Sequence, residues 1–344
     1  MARIDLKSMT IEELQDFMSE LGEPKFRAKQ IFEWLHKKMV NSVDDMTNIS
    51  KSLRIKLSEN TKISGVKIVQ KLQSQKDGTT KYLFALDNDN LIESVLMRYS
   101  YGNAVCVSSQ AGCRMGCSFC ASTLNGLEYN LLAGEILSQI YEIQKDIGER
   151  VSSVVIMGSG EPLDNYDNVI KFIRILNSPM GLDIGQRHIT LSTCGLVDGI
   201  NRLRDEDLQI TLAVSLHAPN DDIRRQIMPV AKKYDITRLL NACKLYSDST
   251  KRRITFEYAM IRGVNDSREC AVELASRLKN MLCHVNLIPV NDVKERNYVR
   301  SGESAINDFA AVLNSKGIET TIRRKLGSDI NAACGQLRRG YLKK

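Results

Sequence analysis

Ser153-Val154-Val155-Ile156-Met157 is a short apolar run that stops at Gly158-Ser159-Gly160-Glu161-Pro162. Tyr166 to Asn177 then carries apolar residues at helical spacing, and His188-Ile189-Thr190-Leu191-Ser192 is a second short run. A brief β-branched run closed by glycine and proline reads as a buried strand, and a shift to a 3.6-residue period reads as a helix. This stretch is therefore one strand–helix–strand unit. The same alternation continues outward on both sides. Upstream, Ala104–Ser108 is a candidate strand followed by a helix near 133–146. Downstream come strands at Ile210–Ser215, Ile254–Met260, His284–Ile288 and Thr320–Ile322, with helices near 235–247, 267–281 and 303–315 between them. Alternation of this kind builds a parallel sheet. Six such units occupy about 200 residues, short of the ~250 of a complete eight-fold barrel. The expected fold is α/β, a partial (β/α)6 TIM-like barrel. Chemistry in such folds gathers at the carboxyl ends of the strands. Here those ends read Gly160-Glu161, Ser192-Thr193-Cys194-Gly195, Ser215-Leu216-His217 and Pro289-Val290-Asn291.

The first hundred residues differ. Thr10 followed by Glu13 is a capping pair, and Ile11, Leu14, Phe17, Met18 and Leu21 follow at helical spacing. A second helix is expected from Pro24 through Phe26, Ile31, Phe32 and Leu35, and a third through Ile49, Leu53, Ile55 and Leu57. Strand patterns then appear at Val66–Val69, Tyr82–Leu86 and Ile92–Leu96, separated by turn residues. The expected division is a small helical domain with a β-extension over 1–95, a barrel over 96–325 and a C-terminal segment over 326–344.

Composition removes several classes. The 344 residues are 43% hydrophobic and 26% charged, which supports a normal core and excludes disorder throughout. No stretch approaches the ~20 apolar residues of a membrane span, and Met1-Ala2-Arg3-Ile4-Asp5-Leu6-Lys7 lacks the apolar centre of a secretory signal. A soluble, cytoplasmic monomer with no membrane partner is expected. The net charge of +7 is modest, but Arg323, Arg324, Lys325, Arg338, Arg339, Lys343 and Lys344 face only Asp329 in the last 22 residues. Such a block suits phosphates, and a solvated tail is the alternative.

Nine cysteines without a secretion signal point to metal or catalysis more than to disulfides. Cys113-Arg114-Met115-Gly116-Cys117-Ser118-Phe119-Cys120 is the densest group. Three thiolates fall short of the four ligands of a structural zinc site. They suit a four-iron cluster held through three irons, with the fourth open to another ligand. Phe119 is placed to shield such a cluster, and packing of three inert thiols is the alternative.

Cys113, Cys117 and Cys120 match the signature of the radical S-adenosylmethionine (SAM) superfamily. Val105 to Cys113, Gly160-Glu161-Pro162-Leu163-Asp164-Asn165, Ser215-Leu216-His217-Ala218-Pro219-Asn220 and Asp329 to Leu337 resemble the RlmN family over essentially the whole chain. Those enzymes methylate C2 of an adenosine in 23S ribosomal RNA and in tRNA. The resemblance implies a [4Fe–4S] cluster on Cys113, Cys117 and Cys120, and two SAM molecules per turnover. It implies SAM contacts at Gly160, Glu161, Ser192, Ser215, Leu216, His217 and Asn291. It makes Cys334 the methyl carrier, Cys106 the thiol that releases the product by disulfide formation, and Glu93 a proton acceptor. A solvated or ion-paired strand carboxylate is the other reading of Glu93, and a core histidine that of His217. The partners implied are 23S rRNA and tRNA, bound in part by residues 1–95, and an external flavodoxin-like electron donor. One departure is Ser159, where the family often has methionine. Cys194, Cys243, Cys270 and Cys283 gain nothing from the resemblance. Two rival readings stay open: a Cfr-type enzyme acting on C8 of the same adenosine, and a non-catalytic iron–sulfur protein that binds RNA or senses redox state.

Overall fold

A computed structural model describes residues 3–291, 297–324, 326–330 and 332. Strand β1 (Ile4–Asp5) leads to helices α1 (Ile11–Glu20), α2 (Phe26–His36) and α3 (Lys51–Asn60), and β2 (Thr61–Lys62) pairs with β1 in parallel. The expected capping box closes α1: Thr10 Oγ1 accepts from Glu13 N (3.3 Å) and Glu13 Oε2 accepts from Thr10 N (3.0 Å). Leu14, Phe17 and Met18 are its buried face. In α3 the inward residues are Leu53 and Leu57 alone, and Ile55 is 50% exposed. Two residues along a helix turn the side chain through ~200°, so Ile55 cannot share the face of Leu53.

A three-stranded antiparallel meander follows: β3 (Val66–Gln73), β4 (Thr80–Leu86) and β5 (Leu91–Tyr99). Strand β5 turns directly into β6 (Gly102–Cys106), with which it pairs antiparallel from Tyr99↔Gly102 to Val95↔Cys106. Next comes a small hairpin, β7 (Gln110–Gly112) with β8 (Leu127–Asn130), which brackets the cysteine loop. The βα series then runs α4 (Ala133–Ile147), β9 (Val151–Ile156), α5 (Tyr166–Asn177), β10 (Ile189–Thr193) and α6 (Val197–Arg204). It continues with β11 (Thr211–Ser215), α7 (Asp221–Ile227), α8 (Ile236–Thr250), β12 (Ile254–Met260) and α9 (Arg268–Leu278). It ends with β13 (Cys283–Pro289), α10 (Glu303–Ser315) and β14 (Thr320–Ile322).

Ten strands form one open sheet in the order β14-β13-β12-β11-β10-β9-β6-β5-β4-β3. The seven from β6 to β14 are mutually parallel, which gives the six expected βα units and the α/β class. The anticipated division at residue 95 falls within β5, and the strands on both sides hydrogen-bond into the same sheet. Helices α6 and α7 and the β7–β8 hairpin carry no expectation from the sequence. At three to eight residues each, they are too short for a periodic signal. One apolar cluster runs from Leu6 to Ile318, and a smaller one gathers Val95, Met97, Ala104, Cys106 and Ala332. Among the described residues no helix is long and apolar enough to cross a membrane.

Candidate active site

The cysteine loop is anchored at both ends by backbone. Gly112 (φ +77°) closes β7 against β8, and a Cβ there would lie 2.0 Å from the Gly126 carbonyl oxygen. That glycine is a steric requirement. Cys113 N donates to Gly126 O (2.8 Å), Cys120 N to Cys117 O (3.2 Å) and Ser118 N to Ile227 O (2.9 Å). Cys113 and Cys117 are buried and Cys120 is half-buried. Burial pushes the Cys113 thiol up to about 12 and the Cys117 thiol higher still, and the neighbouring thiols add to both. All three line one cavity of about 160 Å³.

The strand ends supply the rest of its wall. Gly160, Glu161, Ser192, Ser215, His217 and Asn291 all line it, so six of the seven strand-end positions singled out in the sequence meet the three cysteines. Leu216 does not; it is fully buried, and its carbonyl accepts from Arg224 Nε (3.3 Å). Gly160 (φ +107°) lets the chain pass where a Cβ would sit 2.6 Å from Gln110 Cβ and 2.8 Å from Gln110 N. The Glu161 carboxylate accepts from Cys194 N (2.7 Å) and Leu163 N (3.0 Å), tying the end of β9 to the end of β10. Burial raises its pKa. His217 adopts φ +57°, a left-handed conformation that costs energy outside glycine. The buried Asn265 amide holds it there by donating to His217 O and to Ala259 O, both at 2.7 Å. His217 Nδ1 accepts from Ala259 N (2.9 Å), and burial lowers its pKa to about 3. The ring is therefore neutral with its proton on Nε2. Phe119 meets it edge-on at 4.9 Å and 88°.

A larger cavity, about 470 Å³, adjoins the first and shares Met157, Ile288, Asn291 and Arg323 with it. Cys106 opens into this second space with Val95 and Met97 of β5. Glu93 lines neither cavity. Strand alternation places it on the face of Val95 and Met97, where it forms an ion pair with Lys81 Nζ (3.2 Å), both side chains 3% exposed. Arg323 and Arg324 of the basic block line the larger cavity. Cys334, Lys325, Arg338, Arg339, Lys343 and Lys344 lie outside the described residues.

Residues 4–63 match the family described as ribosomal RNA large subunit methyltransferase N-terminal domain, and residues 107–275 match the radical SAM superfamily. A probable dual-specificity RNA methyltransferase RlmN of Clostridium novyi is 58% identical over 339 residues, covering 98% of this chain and 99% of the relative. Its counterpart in Alkaliphilus oremlandii is 56% identical over 342 residues, covering 99% of each. The crystal structure of a radical SAM methyltransferase from Sphaerobacter thermophilus superposes with a TM-score of 0.92 at 43% identity, covering 97% of this chain and 99% of that one. The chain belongs to the RlmN family of radical SAM methyltransferases.

The cofactors of the RlmN family are a [4Fe–4S] cluster and SAM. The cavity fits such a group. No set of His, Cys, Asp or Glu among the described residues converges on a single metal ion. A cluster asks for something else, thiolates spread over separate irons, and bound iron would compensate the burial that raises the Cys113 and Cys117 thiols. Cys113, Cys117, Cys194, Cys243, Cys270 and Cys283 are free thiols. Several residues that line or brace this cavity escaped the sequence reading. Cys194, read there as an ordinary buried thiol, is part of the cavity wall and holds Glu161 through its amide. Glu257 lines the cavity from the middle of β12, and Asn286 Nδ2 donates to it (2.8 Å). An acid inside the apolar run Ile254–Met260 was the available signal. Gln110 reaches Asn130 Oδ1 (2.7 Å), Asp164 Oδ2 (3.0 Å) and Glu161 N (2.8 Å), joining the cysteine hairpin to the Gly160 turn. Ser159, the departure from the family pattern, is absent from the cavity wall; its carbonyl accepts from Ser109 N and Gln110 N.

Proposed function

We propose that the protein methylates C2 of adenosine 2503 in 23S rRNA and of adenosine 37 in tRNA, consuming two SAM per turnover through an S-methylcysteine at Cys334. The observation that carries this reading is the pair of adjoining cavities. One has Cys113, Cys117 and Cys120 in its wall, the other has Cys106, and four residues belong to both. When bound, the cluster and SAM supply a 5′-deoxyadenosyl radical and the methyl carbon, because the electron-poor C2 does not attack SAM as an ordinary nucleophile.

The chain's own residues do the rest. Cys113, Cys117 and Cys120 hold the cluster. Gly160, Glu161, Ser192, Ser215, Leu216, His217 and Asn291 position SAM at the strand ends. Cys334 carries the one-carbon unit to the base, and Ala332, two residues before it, packs in the cluster around Cys106. Cys106 attacks the Cys334 sulfur: the S–S bond forms as the bond from the Cys334 sulfur to the bridging carbon breaks, and that carbon keeps the electron pair and takes a proton to become the methyl group of the freed base. Glu93 takes the C2 proton, with Lys81 as its counter-ion. Residues 1–95 and the basic C-terminal segment bind the RNA backbone. A flavodoxin-like donor supplies electrons to a cytoplasmic, monomeric enzyme.

The test is a pair of cysteine variants. Cys106→Ala forms the adduct without releasing it, so a protein–RNA crosslink accumulates that survives denaturation and disappears with nuclease. Cys334→Ala forms none. RNA treated with the unaltered protein yields 2-methyladenosine on digestion and mass spectrometry. Recovery of 8-methyladenosine, or equal crosslinking in Cys334→Ala, overturns the assignment.

A further inference from the structure

The turn between β5 and β6 carries an aromatic pair that the chemistry above leaves without a role. Tyr101 is 73% exposed, the most exposed large apolar side chain among the described residues. Its ring lies parallel to that of Tyr99, with centroids 4.9 Å apart and planes 6° apart. Tyr99 in turn lines the 470 Å³ cavity into which Cys106 opens. The pair therefore runs from the cavity wall outward into solvent.

The turn is held in place. Tyr99 pairs with Gly102 and Arg98 with Asn103, leaving only Ser100 and Tyr101 in the loop. Glu149 bridges the strands beneath it, accepting from Arg98 Nη1 (2.9 and 3.0 Å) and from Asn103 Nδ2 (2.8 Å). Gly102 (φ +131°) packs so closely that a Cβ would sit 2.4 Å from Ser152 Oγ. An exposed aromatic ring on a fixed two-residue turn loses little freedom when a ligand stacks on it.

The surroundings indicate the ligand. Arg300, Arg323 and Arg324 line the cavity whose wall includes Tyr99, so the inner ring of the pair opens on the same space as three cationic side chains. Flat rings next to cationic groups are how proteins hold unpaired nucleotides, the ring taking the base and the cations the phosphates. A base drawn out of an RNA loop also leaves its neighbours unstacked, and a protein surface that stacks one of them offsets that cost. We propose that Tyr101, backed by Tyr99, is the stacking platform for a nucleobase flanking the adenosine that enters the cavity. This rests on the RNA-methylating function proposed above and adds a binding subsite to it.

The experiment uses the full chain and a stem-loop RNA with one unpaired target adenosine, the adjacent base replaced by fluorescent 2-aminopurine. Binding to the unaltered protein quenches the fluorescence. Tyr101→Ala loses the quenching and binds the RNA about 5- to 150-fold more weakly, the range for loss of one base–aromatic stack. Tyr101→Phe keeps both signals, because stacking needs the ring and not the hydroxyl. An unchanged thermal midpoint in Tyr101→Ala shows that the fold survives. Binding of Tyr101→Ala within twofold of the unaltered protein, or a Tyr101→Phe defect as large as that of alanine, overturns the platform alone. Failure of the unaltered protein to methylate RNA overturns the function itself.

Discussion

Gly160 shows how one residue sets the geometry between the cysteine loop and the strand ends. Its φ of +107° is poorly tolerated by side chains, and the Cβ of an alanine would press on Gln110 and on Ser109 Oγ. Gly126, at φ +70°, has nothing within 4 Å of its Cβ position. Gly126→Ala should therefore cost about 1 kcal/mol, for conformation only. Gly160→Ala should cost about 2–4 kcal/mol and weaken SAM binding, since the backbone must shift to relieve the clash. Urea unfolding of the two variants side by side, with SAM titration, checks this; equal costs would remove the role of close packing on Gln110. At this scale the sequence discloses what lies close along the chain. That Cys113, Cys117 and Cys120 share one cavity wall was legible because they lie within eight residues on one loop. Gln110, Asn265 and Arg224 were not, because they act on backbone groups 30 to 51 residues away: Glu161 N, His217 O and Cys194 O.

Elements were legible in proportion to their length and periodicity. Helices Tyr166–Asn177 and Glu303–Ser315 and strand Ile254–Met260 have the bounds that their apolar patterns indicate, whereas α6 and α7 give too few turns to register. What pattern cannot convey is the chemistry of one strand against the next. Lys81 stands opposite Val95 in the β4–β5 register, which brings it diagonally onto Glu93. The two are 251 and 239 residues from Ala332 in the chain, yet they lie on the sheet face whose Val95 clusters with it. Removing one partner of a buried ion pair leaves an uncompensated charge, at a cost of about 3–5 kcal/mol. Lys81→Met should lose roughly that much, and Lys81→Met combined with Glu93→Leu should recover most of it. Chemical denaturation of the three proteins measures both. A loss below about 1 kcal/mol in Lys81→Met would show that the pair carries little of the β4–β5 contact.

The whole molecule joins the N-terminal helices to the barrel through buried polar contacts, which apolar periodicity does not signal. Lys7 Nζ donates to Ser138 Oγ of α4 (3.0 Å), and His36 Nδ1 pairs with the Tyr141 hydroxyl of α4 (2.8 Å). Gly134 lets α4 approach Asp5, Lys7 and Ser64 so closely that a Cβ would fall within 2.9 Å of each. With β3–β5 continuing the barrel's own sheet, the two parts should unfold in one transition. His36 offers a way to test this. Burial lowers its pKa from 6.5 to about 3, and the nearby Lys7 charge adds to the effect. Between those values the unfolded chain binds a proton that the folded chain refuses. The contribution of His36 is thus complete above pH 6.5 and lost as pH falls towards 3, by about 1.4 kcal/mol per pH unit. In His36→Gln that slope is absent, while His217 and the buried carboxylates titrate as before and cancel in the comparison. The stability difference between the unaltered protein and His36→Gln should therefore shift by about 1.4 kcal/mol in favour of the variant for each unit from pH 6 to pH 4. If the helices and the barrel are one cooperative unit, the shift appears equally in helix content and in a tryptophan or tyrosine signal, at a single midpoint. A pH-dependent difference confined to an early partial transition would instead separate the N-terminal helices from the sheet they pack on.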